Sequence, residues 1–163
     1  MGMLATVMNG LAFGDFLTQA GIENRVFSAV ALHGVVDVYN RDRALELMQA
    51  GGVAILTGGT GNPFFTTDTA ACLRGIELGV DKILKATNVD GVYDDDPRTN
   101  PNATKFETVS FDEVLAKSLG VMDLTAFVLC KEHALPIVVF DMRASGHLVE
   151  IVKGGTVGTE VHV

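Results

Sequence analysis

The chain has 163 residues, 48% of them hydrophobic, which suits one globular domain able to bury roughly 70% of its unfolded surface. A formal charge of −8 opposes contact with a phosphate backbone or an anionic bilayer, so neither nucleic acid nor membrane is expected as a partner. No apolar run of about eighteen residues and no basic-then-apolar leader occurs, so the cytoplasm is the expected compartment. The two cysteines lack Cys-x-x-Cys spacing and the four histidines are scattered, which points away from a disulfide framework and from a side-chain metal cage.

In chain order, Met1 to Ala20 reads as a helix, with Leu4, Met8, Leu11, Ala12 and Phe16 at three- and four-residue spacing, Phe13 off that stripe, and Gly21 closing it. A strand over Val26 to Val30 follows, then a helix over Arg41 to Ala50 with Asn40 as its cap and Gly51-Gly52 as its stop. The apolar run Val53 to Leu56 is a buried strand, and a helix runs from Asp68, its expected cap, to about Leu78. Lys82 to Thr87 is another strand. Asp94 to Thr108, polar and carrying Pro97 and Pro101, is a surface loop, after which Ser110 and Glu113 form a capping box for a short helix. A helix from about Leu124 to His133, a strand Ile137 to Phe140 and a helix His147 to Val152 capped by Ser145 complete the alternation. Gly154 to Val163 suits an edge strand or hairpin. Strands alternating with helices predict an α/β fold, a mostly parallel sheet sandwiched between helices, with ligands at the carboxyl ends of the strands.

The stretch with the most chemistry is Thr57 to Asp68. A strand, then Gly58, Gly59 and Gly61, then a helix start, is the layout of an anion site: glycines let backbone N–H groups approach closely, and the helix adds unpaired amides and a positive dipole end. The loop lacks the Gly-Lys-Ser/Thr ending of a Walker A motif and the third glycine of a dinucleotide fingerprint. Asn62, Pro63, Phe64, Phe65, Thr66 and Thr67 instead combine rigid backbone, aromatic surface and polar groups, which suits a base together with a phosphate. The competing reading is a glycine-rich connection, but such a connection has little use for two phenylalanines.

Four segments carry a resemblance: Met1 to Gly10 (MGMLATVMNG), Thr60 to Asp68 (TGNPFFTTD), Lys85 to Tyr93 (KATNVDGVY) and Val121 to Leu124 (VMDL). Together they resemble the bacterial UMP kinases, also called uridylate kinases, of the amino-acid kinase superfamily, and the likeness runs the length of the chain. It implies phosphoryl transfer from ATP to UMP with magnesium, giving UDP in pyrimidine nucleotide biosynthesis, by a homohexamer tuned by GTP and UTP. Position by position, Thr60, Gly61, Asn62, Pro63, Phe64, Phe65, Thr66 and Thr67 would hold UMP, and Thr87, Asn88, Tyr93 and Asp96 the adenosine of ATP. For Tyr93 the alternative is core packing beside Val92, and for Asp94 to Asp96 a solvated turn. Lys85 faces a phosphate or snorkels from a strand. Asp68 and Asp123 are helix caps first and catalytic candidates second.

The resemblance also implies a difference. Relatives begin with a strand bearing a Lys and a glycine turn, followed by a second glycine cluster, which cradle the ATP phosphates; these would lie upstream of Met1, together with an Asp that bonds the UMP ribose. The chain is therefore expected to be an N-terminally truncated, incomplete single domain over residues 1–163, and inactive alone. Gly14 and Thr18 stand where some relatives carry basic effector contacts, and Arg25 is retained. Two alternatives stay open: another kinase of the superfamily with a carboxylate acceptor, and a non-catalytic nucleotide-binding or assembly module.

Overall fold

A computed structural model describes all 163 residues as two compact units, Met1–Leu78 and Gly79–Val163. The alternation is realised as one hydrogen-bonded sheet in each.

The first unit contains α1 (Gly2–Gln19), β1 (Asn24–Ser28), β2 (Asp37–Val38), α2 (Arg41–Gln49), β3 (Val53–Thr57) and α3 (Thr67–Leu78), and its strands lie in the order β2-β1-β3, all parallel. Helix α1 ends as expected, with Gly21 left-handed at φ 74° and the Ile22 N–H bonded to the Leu17 carbonyl at 2.9 Å. Its packing face is not the expected one. Leu4, Met8, Phe13 and Phe16 are exposed, while Val7, Gly10 and Gly14 are buried. A Cβ on Gly10 would stand 2.4 Å from Thr57 Cγ2, and one on Gly14 3.1 Å from Val26 Cγ2, so the helix lies on β1 and β3 by presenting backbone rather than side chain. Asn40 caps α2 as its side chain predicts, accepting from the Arg43 N–H at 3.0 Å. Tyr39 stacks edge-on to buried Phe27, with the Arg74 guanidinium 4.0 Å above its ring and Glu77 bound to Arg74 at 2.7 Å. Its hydroxyl is buried beside them without a hydrogen bond; burial first, then Glu77, raises its titration above the usual phenol range.

The second unit contains β4 (Ile83–Thr87), β5 (Thr108–Ser110), α4 (Phe111–Ala116), α5 (Leu124–Glu132), β6 (Ile137–Asp141), α6 (His147–Val152) and β7 (Thr159–His162). Its order is β4-β6-β7-β5, with β6 and β7 antiparallel and the other pairs parallel. The tail strand β7 is thus interior rather than an edge. Strand β6 is apolar and buried through Phe140, as a strand covered on both faces must be, and Val138 and Phe140 pack with Ile151. Asp123 caps α5 through the Ala126 N–H at 2.9 Å, and Ser110 caps α4 at 3.1 Å. The Glu113 carboxylate, expected to complete a capping box, bonds Lys117 instead, and α6 is preceded by Gly146 rather than capped by Ser145. Cys72 and Cys130 are buried free thiols.

One buried hydroxyl ties three segments of this unit together. Thr159 Oγ1 accepts from the Val92 N–H at 2.9 Å and donates to the Phe106 carbonyl at 2.5 Å, and Thr159 is fully buried. Thr159→Val keeps the shape but strands both backbone groups, and should destabilise the chain by about 1–3 kcal/mol. Urea unfolding checks this, with Thr159→Ser, which keeps both bonds and gives up one buried methyl group, expected to be the less destabilised of the two at about 0.5–1.5 kcal/mol.

Candidate functional site

The loop after β3 is built against the carboxyl end of β1. The Ala29 N–H bonds the Thr57 carbonyl at 2.9 Å, and Gly58 then turns with φ 78°, where a Cβ would stand 3.1 Å from both Ala29 N and Ser28 Oγ. Only glycine combines that conformation with that approach. The Gly58 carbonyl accepts from the Gly61 N–H at 3.1 Å, closing a tight turn over Gly59 and Thr60. The Gly58 N–H itself goes to Thr6 Oγ1 at 2.9 Å. Two of the three glycine amides expected to face a ligand are therefore used inside the protein, and Gly59 supplies the one that is not.

Beyond the turn the side chains are outward. Asn62 donates from its backbone to Thr60 Oγ1 at 3.2 Å and from its amide group to the Thr60 carbonyl at 3.3 Å, so the two polar candidates hold each other. Pro63 is exposed, Phe64 is fully exposed at a left-handed φ of 69°, and Phe65 is half exposed. A bulky residue held left-handed is strained, and strain of this kind collects at ligand sites. Thr66, not Asp68, caps α3: its hydroxyl accepts from the Asp68 N–H at 3.1 Å and the Thr69 N–H at 3.4 Å. Thr67 opens the helix and Asp68 lies in its first turn, where the dipole favours a carboxylate. Thr66 wins because its hydroxyl reaches amides two and three residues ahead.

In the second unit Thr87 ends β4 opposite Asp141, the last residue of β6, and the Met142 N–H bonds the Thr87 carbonyl at 2.9 Å. Arg143 grips Asp141 with two bonds, Nε to Oδ1 at 3.0 Å and Nη2 to Oδ2 at 2.8 Å, and its Nη2 also donates to the Asn88 carbonyl at 2.8 Å. Thr87 and Asn88 thus share one strand-end cluster with Asp141 and Arg143, a pair that sequence reasoning passed over although Asp-x-Arg at the end of a buried strand was its signal. Tyr93 is half-buried, and its phenol donates to Asp90 at 2.9 Å, a bond that raises its titration. The acidic run folds its own loop. Asp94 accepts from the Thr104 N–H at 2.7 Å, Asp95 from Asn100 at 3.0 Å, and Asp96 from the Arg98 N–H at 2.9 Å. Lys85 is half-buried in the middle of β4, in register with Val139. No three His, Cys, Asp or Glu side chains converge as a metal cage would require.

The model of the amino acid kinase family matches residues 1–141. The chain belongs to the amino acid kinase family. It is 55% identical to a uridylate kinase of Alcanivorax borkumensis over 99% of its own length and 64% of that protein, and 52% identical to a uridylate kinase of Bacteroides thetaiotaomicron over 99% and 69%. It therefore spans about two thirds of the curated relatives it matches. Among solved structures, a UMP kinase from Bacillus anthracis superposes with a TM-score of 0.96 at 34% identity, covering 99% of this chain and 67% of that one. One from Ureaplasma parvum gives 0.94 at 36%, covering 100% and 70%. The mostly parallel α/β architecture expected of the amino acid kinase fold is the one found.

The Arg143 hydrogen bonds, ahead of every other influence, pull the Asp141 carboxyl from its ordinary 3.8 down to about 2. A carboxylate held below its ordinary value contributes stability that is complete above that value and is lost as pH falls toward the folded one. Carboxyl 13C NMR should place the Asp141 midpoint near 2 in the wild type and higher in Arg143→Met, though still below 3.8 because the backbone N–H of residue 143 keeps its bond to Asp141. An unmoved midpoint in the variant would show that Arg143 is not the cause.

Proposed function

We propose that this chain carries the acceptor loop and the nucleoside-side loop of a UMP kinase, which transfers a phosphoryl group from ATP to UMP in pyrimidine nucleotide synthesis. The observation that carries the reading is the Gly58 to Thr67 loop, where a glycine turn and a helix N-terminus bracket two exposed phenylalanines and a paired Thr60 and Asn62. Amides and a helix dipole suit a phosphate, and flat apolar surface beside polar groups suits a pyrimidine ring. Relatives named uridylate kinase and solved structures named UMP kinase support the same substrate.

On this reading Thr60 and Asn62 bond the nucleoside of UMP, Thr67 and its amide meet the acceptor phosphate, and Thr87, Asn88, Tyr93 and Asp96 meet the adenosine of ATP. Magnesium would enter on the ATP phosphates, because one or two carboxylates and a triphosphate are its usual ligands and the side chains here form no cage of their own. Lys85, Asp68 and Asp123 stay as catalytic candidates of the second rank, the last two with structural roles at helix starts. A hexamer is in keeping with α1, which exposes Met8, Phe13 and Phe16 on a face that a free subunit has no reason to keep apolar. A triphosphate effector fits less well. The open cleft of about 460 Å³ beside α1 has Arg25 as its one cation, committed to Asp37 at 3.9 Å, with Asp15 also lining it. The two buried free thiols suit a reducing compartment, and a cytoplasmic reaction is part of the proposal.

Titration calorimetry with UMP, on a form extended upstream to the relatives' length, tests the loop. Thr60→Ala and Asn62→Ala should each weaken binding by about 1–3 kcal/mol, since a polar pocket left with unpaired groups loses that much. Because both residues sit on an outward loop, the melting temperature should hold. Wild-type affinity in both variants would remove UMP from this loop.

A further inference from the structure

Thr6 lies on α1, far in sequence from the glycine loop, yet its hydroxyl is the partner of the loop's first amide. Thr6 Oγ1 donates to the Met3 carbonyl at 2.7 Å and accepts from the Gly58 N–H at 2.9 Å, so the hydroxyl hydrogen is committed to the helix and its lone pair is aimed at the loop. Gly58 is buried, left-handed, and in contact with Ala29 and Ser28 behind it. A buried amide deprived of its acceptor has two recourses: to stay unpaired at a cost, or to move. Movement of Gly58 cannot stay local, because its carbonyl holds the Gly61 N–H, and the turn so closed sets where Thr60 and Asn62 stand.

We propose that Thr6 is a positioning residue for the acceptor site: its hydroxyl fixes Gly58, Gly58 fixes the turn through Gly61, and the turn presents Thr60 and Asn62 at the spacing the acceptor nucleotide needs. Thr6 need not touch the ligand. The inference deepens the reading of the loop as a UMP site and rests on it, but its first link, from Thr6 to Gly58, is independent of any ligand. Isosteric Thr6→Val removes the acceptor and keeps the volume; Thr6→Ser keeps the acceptor and drops one methyl group.

The test reads the first link on the 163-residue chain and the second on a form extended upstream to the relatives' length. Amide hydrogen exchange by NMR reports on Gly58, which should be protected in wild type and Thr6→Ser and should exchange at least about tenfold faster in Thr6→Val. NMR titration with UMP should then show Thr6→Ser within about twofold of wild type and Thr6→Val weaker by about tenfold, with ATP affinity unchanged and the melting temperature lowered by no more than about 10 °C, the cost of one unpaired buried amide. A general loss of structure would weaken UMP and ATP binding together and would count against positioning. Persistent Gly58 protection in Thr6→Val overturns the first link, and lost protection with unchanged UMP affinity overturns the second. If Gly58 behaves as expected while the wild type itself shows no UMP contact at this loop, the anchoring stands and the UMP reading falls.

Discussion

Helix α1 can lie directly on strands β1 and β3 only because Gly10 and Gly14 present no side chains to them, and the rest of the first unit follows from that approach. A helix held a side chain further away would carry Thr6 out of reach of Gly58. With Thr6 in reach, the end of β3 is bonded to the helix on one side and to Ala29 at the end of β1 on the other. The glycine loop therefore leaves the sheet from a fixed point and reaches the start of α3 under a Thr66 cap. What is exposed and strained, Phe64 above all, is exposed and strained on a rigid base. That combination is what the proposed binding role asks of the loop.

The second unit solves the same problem with charge and a hydroxyl. The strand ends Thr87 and Asp141 are neighbours in the sheet, and Arg143 clamps the second while reaching the first through Asn88. The bidentate geometry gives the clamp direction as well as strength, which a lysine at the same place would not supply. Further along, Thr159 holds Val92 and Phe106, the residues flanking the long acidic loop, so Asp94 to Asp96 fold their turn from a fixed base. In both units the segments proposed to meet nucleotide follow the carboxyl end of a parallel strand, β3 at Thr57 and β4 at Thr87, and groups distant in sequence help to set their positions.

Local signals were legible because their cause is local. Asn40 and Asp123 reach amides within three residues, so a polar side chain ahead of an apolar run suffices to find them, and the run from Val53 to Thr57 is a strand whatever lies beside it. The face of α1 was not legible. Large apolar residues at helical spacing read as the buried stripe, whereas the sheet receives the small ones, and glycine signals by an absence. Strand β7 read as an edge because nothing within its residues says that β5 pairs with it in parallel. At the site, the loop from Thr60 to Thr67 stood out by its composition, but the partner of Gly58 lies 52 residues away and has no motif to announce it. The Arg143 clamp was legible only in part, since its grip on Asp141 is local and announced by Asp-x-Arg after an apolar run, whereas the Asn88 carbonyl it also reaches is 55 residues distant.

The central proposal is that the Gly58 to Thr67 loop is an acceptor site for UMP within a phosphoryl-transfer enzyme, and that the groups acting on the ATP phosphates lie in the part of the relatives' length that this chain does not span. Transfer depends on positioned charge at the β- and γ-phosphates, and loss of one dedicated donor costs about 100- to 1,000-fold in rate. The most direct test is a coupled ADP-release assay with UMP as acceptor, run side by side on the 163-residue chain and on a form extended upstream to the relatives' length. The account predicts turnover with UMP by the extended form and none measurable by the shorter one. Turnover by the shorter chain within about tenfold of the longer, or faster turnover with a carboxylate acceptor than with UMP, would contradict it.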